Sequence, residues 1–263
     1  MQYYTTMSKI ANPHIETLLK DFVSSLKDAL SGDLVGVYLY GSQATGDFDE
    51  NTSDIDLLIV VNDEIDITKQ DLLTNLHNDF NNSHKLKSTK LDVAYVTEHA
   101  LKTFKDKPYE IIVSDGEGGL ETHVAPAYYL IDWYKIQEHG IVLYGSDVNE
   151  VMPHITLNEF TKTMLDYMHR LQRQIVNKSN RGHLAYIVVT LCRSLYAFKY
   201  VKHVSKKLGV DWAIGQYPQW EELIQDAFTW NRNEQMENVD DKAYQEQALA
   251  FSRFILSQTE NKA

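Results

Sequence analysis

Three aspartates interrupt two otherwise apolar segments of this 263-residue chain. Asp54 and Asp56 open the run Ser53-Asp54-Ile55-Asp56-Leu57-Leu58-Ile59-Val60, and Asp92 sits in Lys90-Leu91-Asp92-Val93-Ala94-Tyr95-Val96. Successive side chains of a strand point to opposite faces, so Asp54 and Asp56 share one face while Ile55 and Leu57 take the other. Two carboxylates at that spacing repel each other unless a cation lies between them. Oxygen ligands of this kind suit a hard divalent ion such as Mg2+, completed by substrate phosphates and water. A lone acid on an apolar strand is costly to bury without a partner. Setting the Asp92 strand beside the Asp54–Asp56 strand, with a metal bridging them, removes that cost. Three carboxylates on adjacent strands are the apparatus of two-metal phosphoryl transfer. Upstream, Gly41-Ser42 follows an apolar segment directly. Lacking a side chain, Gly41 lets backbone N–H groups approach a phosphate closely, and a short helix starting there adds its positive end. Either piece alone is common; the ordered combination is specific. The bland alternative makes Gly41-Ser42 an ordinary turn, Asp54 a strand-end cap and Asp92 an edge charge. It leaves three acids on apolar strands unexplained at once.

The elements that must position these residues are legible from periodicity. Ile15, Leu18, Leu19, Phe22, Val23, Leu26 and Leu30 fall at helical spacing, and Ser31-Gly32-Asp33 breaks the period. Leu34–Tyr40, Ile55–Val61 and Leu91–Val96 read as strands, with a polar loop or short helix over Gly41–Asn51. A helix runs through Leu72, Leu73, Leu76 and Phe80 to the polar cluster Asn81–His84. This alternation predicts a sheet packed by helices. Tyr129–His139 reads as a helix stopped by Gly140, and 158–177, 183–203, 219–230 and 242–258 carry helical periodicity without strand alternation. The expected fold is α+β: a domain over 1–150 with a short mixed sheet flanked by helices, then an all-helical domain over 151–263.

Composition bounds the rest. A hydrophobic fraction of 43% and a charged fraction of 24% describe a globular chain. The net charge of −12 disfavours nucleic acid and favours a cationic partner. Cys192 is the only cysteine, which excludes an internal disulfide and a cysteine metal site and suggests a helix core position. Met1–Ile10 lacks a secretory pattern, and Leu57–Val61 is far too short to span a bilayer, so the expected location is cytoplasmic and away from membranes. The histidines show no metal-ligand spacing. Trp212, Trp220, Trp230 and Tyr217 are spaced as helix-packing aromatics, and Asp115–Gly119 reads as a flexible loop.

The run Tyr40–Val60 resembles the signature of the nucleotidyltransferase superfamily. Glu138-His139-Gly140-Ile141-Val142-Leu143-Tyr144-Gly145 is similar to the domain junction of the aminoglycoside adenylyltransferases that act on streptomycin and spectinomycin. Thr190-Leu191-Cys192-Arg193-Ser194-Leu195-Tyr196, Ser205-Lys206 and Asp211-Trp212-Ala213 resemble the helical domain of the same family. The resemblance implies magnesium-dependent transfer of AMP from ATP to a hydroxyl of an aminoglycoside-type antibiotic. It implies that Asp54 and Asp56 bind magnesium with Asp92 as a further ligand or as the base. Gly41, Ser42 and Ser53 would meet the triphosphate, Lys206 would reach the phosphates from the helical domain, and Arg193 would assist. The chain departs from the family at acceptor-site features. Asp92 stands where relatives usually carry Glu, no Gly-Glu-Trp-Leu-Arg-like segment lies between Phe104 and Tyr128, and Asn180-Arg181-Gly182-His183 replaces an acidic residue. Two alternatives stay open: the same chemistry on a protein, RNA end or metabolite, and a non-catalytic, antitoxin-like module.

Overall fold

The computed structural model describes residues 10, 12–46, 53–62, 64–84, 91–114, 119–177, 180–232 and 241–260. The chain divides into two compact units, 1–155 and 156–263.

The first unit is a six-stranded mixed sheet with helices on both faces. Its elements are α1 (Pro13–Leu30), β1 (Leu34–Tyr40), α2 (Gly41–Thr45), β2 (Ile55–Val61), α3 (Ile67–His84), β3 (Leu91–Thr97), α4 (Glu98–Thr103), β4 (Glu110–Ser114), β5 (Glu121–Val124), α5 (Tyr129–His139), β6 (Ile141–Tyr144) and α6 (Val148–Val151). The strand order is β5-β4-β3-β2-β1-β6. Among the described residues only β2 and β3 pair in parallel, joined by the α3 crossover that a parallel pair requires. Sequence alternation sorts the two faces. Val37, Leu39, Ile55, Leu57, Ile59, Leu91, Val93 and Tyr95 bury one face under α1 and α3. Tyr38, Tyr40, Leu58, Val60, Ala94 and Val96 bury the other against Trp133 and Ile136 of α5 and residues of α4 and α6. Helix α1 begins as its sequence dictates: Asn12 accepts from the backbone N–H of His14 at 2.9 Å, and Pro13 occupies the first turn.

The second unit is helical: α7 (Leu157–Asn177), α8 (Arg181–Tyr200), α9 (Lys206–Gln216), a 3-10 turn at Pro218–Trp220, α10 (Glu221–Arg232) and α11 (Lys242–Ser257). Cys192 is buried on α8. Arg181 ties α10 to the start of α11, donating to Asp226 at 2.9 Å and Asp241 at 2.8 Å while lying over the rings of Trp230 and Tyr244. Trp212 and Tyr217 pack ring to ring, as do Trp220 and Phe251, and all of these tryptophan and tyrosine rings are half-buried.

Three features differ from expectation. The sheet gains β4, β5 and β6; the last lies within the Glu138–Gly145 stretch and pairs with β1 at the sheet edge. Helix α8 ends at Tyr200 rather than continuing to 203, because Val201 turns left-handed at φ 52. A separate helix, α9, then starts at Lys206, capped by Ser205, whose side chain accepts from Leu208 N–H. Residues 47–51 of the Gly41–Asn51 loop or short helix and 115–118 of the Asp115–Gly119 loop lie outside the described residues. No helix among the described residues is long and apolar enough to cross a membrane.

Candidate active site

The three strands that carry the predicted chemistry are neighbours, and their register sets three residues in a row. Tyr40, the last residue of β1, pairs with Asp56 across the antiparallel ladder, and Asp56 pairs with Asp92 across the parallel one. Both acids belong to the sheet face that carries Leu58, Val60, Ala94 and Val96, the face covered by α5. Asp54 lies just ahead of β2 and is exposed, Asp92 is exposed on its strand, and Asp56 is half-buried.

Gly41 makes the turn out of this row. Its φ is 70°, and a Cβ built on it would fall 1.8 Å from Oδ2 of Asp56 and 2.7 Å from Cγ. A side chain there would occupy the space that the Asp56 carboxylate fills, so glycine is required both by the left-handed backbone and by the close approach. Ser42 follows on α2, and Ser53 precedes Asp54; both are half-buried. The five residues of α2 end at Gly46, which is also left-handed, with φ 81°.

Helix α5 lays a further ion pair against the same face. Lys135 Nζ stands 2.8 Å from Asp132 Oδ1, with the two side chains 18% and 25% exposed. Burial, followed by the neighbouring Asp92 carboxylate, pushes the Asp56 carboxyl up to about 8. Lys135 pulls it down, and Asp132 and Asp54 add to the rise. Burial and the Asp132, Asp56 and Asp92 charges likewise push the Tyr40 hydroxyl upward. The electrostatic character is therefore an excess of carboxylate charge around Asp56, partly offset by Lys135.

Asp132 and Lys135 were not among the residues that sequence reasoning picked out. The signal was their place on the helix. Asp132 lies three residues after Tyr129 and four before Ile136, on the stripe that buries itself, where an unpaired acid would be costly.

A divalent cation fits the donor set. Asp56 and Asp92 face each other across one ladder position, where a cation between the two carboxylates would relieve their repulsion. No three His, Cys, Asp or Glu side chains among the described residues form a ready-made ligand cage. Magnesium needs none, since it keeps several waters and takes one or two carboxylates plus substrate phosphates.

The remaining predicted residues belong to the second unit. Arg193 lies on α8; its Nε donates to the Val204 carbonyl at 3.1 Å and its Nη2 pairs with His203 Nε2 at 2.8 Å. Lys206 is the first residue of α9 and is exposed. The structure thus gathers Gly41, Asp54, Asp56 and Asp92 in one place, with Ser42 and Ser53 adjacent in the chain. Arg193 reaches from within α8 to the turn that leads into α9, which Lys206 begins.

Residues 19–138 match the family model "Nucleotidyltransferase domain", and residues 150–258 match "Aminoglycoside adenylyltransferase, C-terminal domain". The chain is 25% identical over 221 residues to a spectinomycin 9-adenylyltransferase of Staphylococcus aureus, covering 80% of each protein. It is 22% identical over 251 residues to that of Campylobacter jejuni, covering 90% of this chain and 93% of the relative. Its fold is similar to the crystal structure of spectinomycin adenyltransferase AAD(9) from Enterococcus faecialis with ATP and spectinomycin. The TM-score is 0.70 at 16% identity, over 93% of this chain and 98% of that one.

Proposed function

The chain belongs to the aminoglycoside adenylyltransferases of the nucleotidyltransferase superfamily, and from that membership we propose that it transfers AMP from ATP to a hydroxyl of an aminoglycoside-type antibiotic of the spectinomycin or streptomycin class. Pyrophosphate is the second product. The observation that carries the chemistry is the Tyr40–Asp56–Asp92 row, with Gly41 stripped of a side chain where the Asp56 carboxylate lies.

Asp54 and Asp56 would hold magnesium, with Asp92 beside them, and the ion when bound would neutralise the triphosphate and make the α-phosphorus electrophilic. The backbone at Gly41 lets the triphosphate approach, and the Ser42 and Ser53 hydroxyls donate to its oxygens. Asp92, exposed on its strand, takes the proton of the acceptor hydroxyl as that oxygen attacks the α-phosphorus. The bond to the bridging oxygen breaks, and the charge that develops on pyrophosphate is met by Arg193 and Lys206. Lysine suits that task as a mobile point charge, and arginine as a planar fork. The carboxylate excess around Asp56 and the net charge of −12 favour a cationic acceptor.

The test is an acceptor assay. Purified protein with ATP and magnesium is offered spectinomycin or streptomycin, and pyrophosphate release and the mass of the antibiotic are followed. One antibiotic should gain the mass of an adenylyl group. Asp92→Asn should still bind ATP with magnesium yet transfer about a hundredfold more slowly or worse. ATP binding without modification of either antibiotic overturns the acceptor, and no ATP binding at all overturns the chemistry.

A further inference from the structure

Arg193 is held from three sides, and the proposed chemistry leaves one of its holders, His203, without a task. A guanidinium carries five N–H donors and no acceptor, so in the 2.8 Å contact between Arg193 Nη2 and His203 Nε2 the arginine must donate. The imidazole is therefore neutral there, with its proton on Nδ1. Arg193 Nε is spent on the Val204 carbonyl at 3.1 Å. These two bonds come from consecutive residues of one turn and fix the plane of the guanidinium. The third side is α9. A Cβ on Gly209 would fall 2.8 Å from Arg193 Cγ and 3.1 Å from its Cα. Gly209 is buried inside a helix, where glycine is a poor helix former, and its missing side chain is what lets α9 lie against Arg193. The turn itself begins with strain, because Val201 is β-branched yet left-handed at φ 52. That conformation redirects the chain after α8 so that residue 203 returns to Arg193.

We propose that His203 is a positioning residue for nucleotide binding: with the Val204 carbonyl it holds the Arg193 guanidinium in one orientation, ready for the triphosphate. The inference rests on the reading of Arg193 as a nucleotide-binding residue. Without His203, arginine keeps its charge but must be ordered when ATP arrives, and ATP affinity falls for that reason.

Calorimetry of ATP with magnesium on the full chain tests it, with no acceptor needed. His203→Leu removes the acceptor atom and should weaken ATP binding about tenfold. His203→Gln places an amide oxygen at similar reach and should restore most of that loss. Arg193→Ala should weaken binding at least as much, and adding His203→Leu to it should bring no further loss, since the histidine acts only through the arginine. Gly209→Ala, which drives a methyl group into the arginine stem, should reproduce the loss if His203→Leu proves too unstable to assay. Wild-type ATP affinity in His203→Leu, beside a weakened Arg193→Ala, overturns the proposal. So does a further tenfold loss in the double variant. Unchanged affinity in Arg193→Ala overturns instead the reading of Arg193 itself.

Discussion

Alanine at Gly41 and at Gly46 separates backbone strain from crowding of the candidate site. Both glycines are left-handed, at φ 70° and 81°, so alanine at either adds the left-handed penalty of about 1–2 kcal/mol. For a protein of this length each kcal/mol lowers Tm by about 2–4 °C, so both variants should melt a few degrees early. They differ in what the new methyl group meets. At Gly46 nothing lies within 4 Å, whereas at Gly41 the Cβ falls 1.8 Å from Asp56 Oδ2, 2.7 Å from Cγ and 3.3 Å from Cβ. An ordinary contact is 3.4–4 Å, so the carboxylate oxygen must retreat by at least 1.6 Å (3.4 − 1.8), and because Cγ is also too close the whole group moves. A displacement of about 1 Å at a reacting site is worth on the order of a hundredfold in rate. Gly41→Ala should therefore lose magnesium-dependent ATP binding and at least about a hundredfold in pyrophosphate release, with a Tm at or below that of Gly46→Ala. Gly46→Ala should keep most of both activities. If the two variants bind ATP with magnesium equally well, the Gly41–Asp56 contact has no part in the site.

Three further outcomes follow from buried charge and strain. An acid whose folded pKa is raised stabilises the fold while protonated and loses that contribution as pH rises; for Asp56 the window runs from about pH 4 to about 8. At pH 7.5 the ceiling is about 5 kcal/mol, at ~1.4 kcal/mol per pH unit. Asp56→Asn should thus raise the metal-free Tm above pH 7 while abolishing turnover, and a Tm at or below wild type there refutes this. His77 presents the opposite case. Burial pushes its imidazole down to about 4, so it contributes fully above pH 6.5 and loses about 3 kcal/mol as pH falls through about 4. His77→Gln, which can keep a bond to the Tyr95 hydroxyl now 2.8 Å from Nε2, should flatten the decline in Tm between pH 6.5 and 4; an unchanged slope would point to other groups. Val201→Gly should relieve left-handed strain and raise stability by about 1 kcal/mol in urea unfolding. A lower midpoint would show that the valine side chain contributes more than its backbone conformation costs.

The strands that carry Asp56 and Asp92 were readable because each is a nearly unbroken aliphatic run with an acid at its second position, and Gly41 stood at the end of another. The rest of the sheet gave no such contrast. Strand β5, Glu121-Thr122-His123-Val124, is exposed at every residue, so no apolar alternation distinguishes it from a loop. Strand β6 is four residues long and follows a helix after one glycine. The end of α8 was missed for a chemical reason: helices that stop in the left-handed region usually do so at glycine or asparagine, and Val201 carries no such signal. Helix α9 was hidden by Gly209 and Gly215, which depress its helical pattern. Asp132 and Lys135 escaped notice because, taken singly, each is an ordinary surface charge; the place of Asp132 on the apolar stripe of α5 was the one signal, and the packing of that helix onto the sheet gives it meaning.

The parallel pairing of β2 with β3 also bears on how the first unit folds. Asp56 and Asp92 are 36 residues apart (92 − 56) and meet only when the α3 crossover has closed, a slow kind of contact to form. The pairs Ile55↔Leu91, Leu57↔Val93 and Ile59↔Tyr95 reward that closure, while the Asp56↔Asp92 pair opposes it. Buried Ile55↔Leu91 lies just beyond the acid pair, so the two carboxylates repel each other inside the ladder, and dissolved salt, which screens charge within about 10 Å at 0.1 M, should ease the closing of this stretch.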